Sequence, residues 1–142
     1  MNPAAITHDV HYPYPPERVW RALTTSAVIA WWLMPNDFAS EVGRSFTFTI
    51  TPRPDFGFDA VHCQVTACNA PSLLAYTWNF ESLRLLVTYR LEPEDGGTRL
   101  HFEQSGFDLD NPADADAYLG LQGWHDRLDE RLPREIAALG AV

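Results

Sequence analysis

Near its start the chain reads "THDVH", which offers His8, Asp9 and His11, residue types that bind metals or pass protons. Side chains alternate faces along a strand, so Asp9 and His11 share one face while His8 points to the other. Three ligands split in this way cannot converge on one ion, and no metal is expected. His8 is then an inward imidazole, a hydrogen-bonding group or general base for an occupant of the interior, although a histidine satisfied within the core is the simpler reading. His62 and His101 carry the outward parity of their strands and belong in solvent. His125, beside Trp124, lies where it could reach the mouth of a cavity. Cys63 points inward as a small apolar side chain, since a reactive thiolate needs a positive charge that its neighbours do not supply. "DLDNPADAD" has the acidity of a calcium loop but neither its glycine nor its closing glutamate, and it reads as a capped helix start. No phosphate-cradling loop, serine elbow, C-x-x-C pair or H-E-x-x-H helix is present. The chain therefore displays no catalytic constellation, and no cofactor is expected.

Aromatic side chains are the stronger signal. Phe46, Phe48, Tyr76, Trp78, Tyr89 and Phe102 all fall on inward strand parities, and Trp124 falls on the apolar stripe of a helix. Such residues can line an apolar pocket, with phenol and indole groups as polar handles that orient a ligand. They can equally fill a core, each contributing about 1.5–3 kcal/mol on burial. With Trp32, Cys63 and His8 they make up the candidate ligand-lining set.

The elements that must position them follow from hydrophobic period. "ITHDVHY" alternates as a half-buried strand. Pro15 and Pro16 open a helix in which Val19, Trp20 and Leu23 share a face, and Thr25 or Ser26 caps a second short helix ending near Pro35. Of Trp31 and Trp32 at its end, one is expected to be buried and the other to stand near the entrance of the interior. Four strands come next, with inward residues Phe46, Phe48 and Ile50; Val61, Cys63 and Val65; Leu74, Tyr76, Trp78 and Phe80; and Leu83 through Leu91. A Gly-Gly turn returns the chain as a further strand carrying Leu100 and Phe102. Asn111 caps, and Pro112 opens, a long C-terminal helix. Its stripe is Leu121, Trp124, Leu128, Leu132, Ile136 and Leu139, with a kink or a split into two helices expected at Gly120 and Gly123 and a bend at Pro133. The layout is α+β: a curved antiparallel sheet of six or seven strands around one long helix, with two short helices after the first strand.

The whole chain, 1–142, fits one domain. Ten basic against nineteen acidic residues leave a net charge of −9, which repels nucleic acid and anionic lipid. Neither leader-like nor membrane-spanning apolar runs are present, and Cys63 and Cys68 stand on opposite strand faces, unsuited to a disulfide. A cytoplasmic protein without membrane insertion is expected.

The stretches "PPERVWRALTTSAVIAWW", "VTACNAPSLLAYTW", "EPEDGGTRLHFEQSGF" and "GWHDRLDERL" resemble, in order, motifs of a known family. It is named after the C-terminal domain of the activator of Hsp90 ATPase and belongs to the START-like, Bet v 1-like helix-grip (SRPBCC) superfamily. The resemblance runs from Ile6 to Leu139. It implies a sheet gripping a C-terminal helix around a cavity, and with it a non-catalytic carrier or sensor for a small hydrophobic or aromatic ligand. Members also include cyclases, so a cyclase or lyase using His8, Tyr76 or Tyr89 is the alternative. A chaperone-associated role is a third, but a chaperone partner is not expected because the co-chaperones' separate N-terminal domain has no counterpart here. A homodimer is left open.

Overall fold

Alternating apolar residues build one sheet with a dry face. In the computed structural model, which describes residues 1–49 and 60–139, strand β1 (Pro3–Tyr12) leads to helices α1 (Pro16–Thr24) and α2 (Ser26–Trp32). Strands β2 (Ser45–Thr49), β3 (Ala60–Asn69), β4 (Leu73–Phe80), β5 (Leu83–Glu94) and β6 (Gly97–Asp108) follow. The six form a curved antiparallel sheet in the order β1-β6-β5-β4-β3-β2. Every other residue is buried along β5, from Leu83 to Leu91, and its partners across the ladder, such as Phe102 opposite Tyr89, bury the same face. Ile50 lies outside the described residues.

One interruption re-aims a strand. Gly106 sits in a bulge where the β1–β6 register slips, at φ 110°. A Cβ there would meet the Arg84 carbonyl at 2.8 Å, so only glycine fits. The extra residue returns Phe107 to the core.

The two short helices close one end of the sheet. α1 begins on proline and buries Val19, Ala22 and Leu23, while Trp20 is only half-buried. Thr25 occupies the cap position of α2 without capping it, because its hydroxyl donates back to the Arg21 carbonyl at 2.6 Å. Trp32 is buried and its indole N–H donates to the Ala22 carbonyl at 3.0 Å, tying α2 to α1. Trp31, 75% exposed, faces solvent.

The C-terminal helix changes character along its length. Asn111 accepts hydrogen bonds from the backbone of Ala113 and Asp114 and starts α3 (Pro112–Gly120). A 3-10 turn, Leu121–Gly123, separates it from α4 (Trp124–Asp126). A π-helical stretch, Arg127–Arg131, then runs into α5 (Leu132–Leu139). Proline lacks the N–H that an α-helix would use at position 133. The chain widens just upstream: the Leu132 N–H reaches back five residues to the Arg127 carbonyl. In the same pattern the Leu128 carbonyl would accept from residue 133, where no proton exists. Tyr12 fills the gap, its hydroxyl donating to Leu128 at 2.6 Å. Trp124, Leu128, Leu132 and Ile136 are buried against the sheet, as the spacing of the stripe requires.

Candidate ligand-binding site

Eight of the aromatic candidates form one continuous cluster. Phe46, Phe48 and Tyr76 meet edge to face or tilted at centroid distances of 5.2 to 5.9 Å. Phe48 leans on Trp78 at 5.4 Å, and Trp78 meets Trp124 at 5.6 Å. Trp124 lies 4.5 Å from Phe102, which reaches Tyr89, and Trp32 stands edge-on to Tyr89. Cys63 is buried opposite Phe46, and burial pushes its thiol well above the ordinary range, with Asp37 adding to the effect.

Two of the cluster's polar handles face each other. The Tyr76 and Tyr89 hydroxyls are 2.8 Å apart, and burial raises both phenols far above their usual range, so both stay neutral. The Trp124 indole donates to the Gln104 side-chain oxygen at 2.8 Å. Gln104 is fully buried, and its amide nitrogen has no partner among the described residues. Gln104 shares the parity of the inward Leu100 and Phe102, but an apolar pattern passes over it because it is polar.

His8 stands apart from the aromatic cluster. It does face the helix, but its ring meets Asp129 at 2.7 Å and packs against His125, tilted by 43°, at a centroid distance of 4.3 Å. His62 is exposed, and His101 lies on the outer face between Asp9 and Glu92. Among the described residues no group of three or more His, Cys, Asp or Glu could hold a metal ion.

Open space lies at one end of the grip. A pocket of about 520 Å³, open to solvent on one side, separates the β4–β5 turn from α3. Its floor is Val61, Trp78 and Phe80, and Glu81, Ser82 and Leu83 form one rim. The helix supplies Ala113, Ala117, Gly120 and Leu121, while Met34 and Arg127 complete the wall. A smaller recess of about 90 Å³ adjoins it and reaches Trp124. The cause is side-chain size. Downstream the helix stripe presents Trp124, Leu128 and Leu132, which fill the space to the sheet; on α3 it presents two alanines and a glycine, which do not. Trp78 and Trp124 thus connect the aromatic cluster to the open space, whereas Trp32, Phe46, Phe48, Cys63, Tyr76, Tyr89, Phe102 and His8 line neither the pocket nor its recess. The pocket's volume falls within the range of small-molecule sites, and its lining is mostly apolar with few polar groups.

Arg127 is the pocket's one cation among the described residues. Its guanidinium donates to the Leu33 carbonyl at 3.0 Å, and no carboxylate lies within ion-pair distance among the described residues. Burial holds it below its ordinary range; Arg131 reinforces this and Asp126 opposes it.

A curved antiparallel sheet closed around a C-terminal helix, with an apolar pocket at the junction, defines a helix-grip protein. Residues 13–133 match the profile of the family described as activator of Hsp90 ATPase homolog 1-like protein, and the chain belongs to that family. A solved structure from Mesorhizobium loti is 34% identical, with a TM-score of 0.81 over 95% of this chain and 98% of that one. One from Bacillus halodurans is 30% identical, with a TM-score of 0.75 over 96% and 99%. A third, from Arthrobacter aurescens, shares the fold at 17% identity, with a TM-score of 0.77 over 94% and 86%. Comparison with curated proteins finds no match. Among the described residues no helix is long and apolar enough to cross a membrane.

Proposed function

We propose that the chain is a non-catalytic, cytoplasmic carrier or sensor that holds a small hydrophobic or aromatic molecule between α3 and the β4–β5 turn. The observation that carries this reading is the pocket of about 520 Å³ floored by Trp78 and Phe80, left where the helix stripe shrinks to Ala113, Ala117 and Gly120. An empty apolar space is costly to keep, at roughly 24 cal/mol per Å³ for enclosed voids, and one that opens to solvent is accessible to a guest. The aromatic floor offers stacking and apolar burial, which favour planar hydrophobic ligands.

Catalysis is the weaker reading. Tyr76 and Tyr89 hydrogen-bond to each other and stay neutral, and His8 is engaged with Asp129, so none of the three is poised for proton transfer in the pocket. Nothing in the fold favours a chaperone role.

The test is titration with N-phenyl-1-naphthylamine, an uncharged dye that brightens in apolar surroundings, against the wild type and Ala117→Trp. Saturable brightening is expected for the wild type, and its loss in the variant, whose indole would occupy the pocket while leaving the circular dichroism spectrum unchanged. Equal binding by both proteins, or none by the wild type, would refute the proposal.

A further inference from the structure

An apolar pocket whose one cation among the described residues is half-buried is not neutral toward its ligands. Arg127 opens the π-helical stretch and lines both the main pocket and the adjoining recess. Its guanidinium carries five N–H donors in a rigid fork, and a single hydrogen bond, to Leu33, is made by the protein. The remaining donors have no carboxylate to meet among the described residues. By contrast, Arg99 pairs with Glu94 and Arg131 with Asp126. A half-buried guanidinium without a counterion, beside an aromatic floor, recognises an anion attached to an apolar body.

We infer that the pocket selects amphipathic organic anions, such as aromatic or aliphatic carboxylates, sulfonates or phenolates, with the acidic group on Arg127 and the apolar body against Trp78 and Phe80. This rests on the reading of the pocket as a ligand site and adds the class of ligand. Glu81, the pocket's other charged residue, stands exposed at the rim, where water screens its repulsion. The burial that lowers the Arg127 pKa also strengthens its pairing with an incoming anion. The protein's net charge of −9 opposes such a ligand at a distance, so selection is local to the pocket and the association rate is expected to rise with added salt.

Two dyes with the same fused rings separate the charge from the apolar body. These are 1-anilinonaphthalene-8-sulfonate, an anion, and N-phenyl-1-naphthylamine, its uncharged counterpart. In Arg127→Gln the sulfonate is expected to bind about tenfold or more weakly, the loss of one charge-assisted contact, while the neutral dye is little affected. Arg127→Lys is expected to fall between Arg127→Gln and the wild type for the sulfonate. Equal weakening of both dyes, or unchanged sulfonate binding, would overturn the inference. Should Arg127→Gln fail to fold, NMR of the wild type decides: the Arg127 Nε–H resonance is expected to move when the sulfonate is added, and a stationary resonance overturns it. Failure of the neutral dye to bind the wild type would sink the pocket reading itself, whereas neutral-dye binding with sulfonate binding indifferent to Arg127 would sink the anion preference alone.

Discussion

Tyr12 shows how one hydroxyl can hold a helix defect in place. Pro133 cannot donate, the Leu128 carbonyl loses its helical partner, and the Tyr12 phenol takes over at 2.6 Å. Tyr12→Phe removes that donor and leaves a buried carbonyl unsatisfied, a loss expected to be about 1–3 kcal/mol in chemical denaturation. The Tyr76–Tyr89 pair calls for a different pattern. Each single change to Phe strands the other hydroxyl in an apolar interior, while the double change removes both polar groups at once. The double variant is therefore expected to be more stable than the sum of the single losses implies; strict additivity in urea melts would contradict a direct bond. His101 gives the protein a pH dependence. Partial burial lowers its pKa, but hydrogen bonds to Asp9 and Glu92 outweigh that and leave it raised. A raised folded-state value means that its stabilisation is complete below the ordinary histidine pKa of about 6.5 and fades as pH rises through the folded-state value. Thermal melts are expected to show this loss on the alkaline side of neutral-acid pH, and His101→Gln is expected to flatten it.

At the scale of elements, the strands were legible because period-2 alternation maps directly onto a sheet with one dry face. Phe46 and Phe48, or Leu83 through Leu91, needed no other information. The C-terminal helix was legible at its start, where Asn111 and Pro112 act locally, and less so beyond. A proline at 133 announces a lost hydrogen bond, but the group that satisfies the freed Leu128 carbonyl is Tyr12, more than a hundred residues away. Gly120 marks the end of α3 with ordinary helical angles, φ −71° and ψ −24°. A Cβ added there meets nothing within 4 Å, so Gly120→Ala is expected to raise stability by about 0.5–1 kcal/mol, measured in urea. Destabilisation by that change would mean that the helix end is held otherwise than described. Gly106→Ala is expected to do the opposite, because its φ and the nearby Arg84 carbonyl exclude a side chain.

For the whole molecule, inward parity identifies the side chains that leave water but not the places where facing surfaces fail to meet. Phe46, Tyr76, Tyr89 and Phe102 leave water by packing on one another. The pocket arises further along, where small residues on the helix oppose the β4–β5 turn, and its signal in the chain was the run of Ala113, Ala117 and Gly120 at spacings of four and three. Arg127 falls outside the apolar stripe in the sequence, and its spacing from Trp124 and Leu128 says nothing of how a π-helical turn and a long side chain combine. Chemical-shift mapping with N-phenyl-1-naphthylamine on isotope-labelled protein tests the pocket most directly. Amide shifts concentrated in Phe80 to Leu83, Ala113 to Leu121 and Arg127 are the expected result. Shifts confined to the outer sheet face, or spread evenly over the chain, would contradict it.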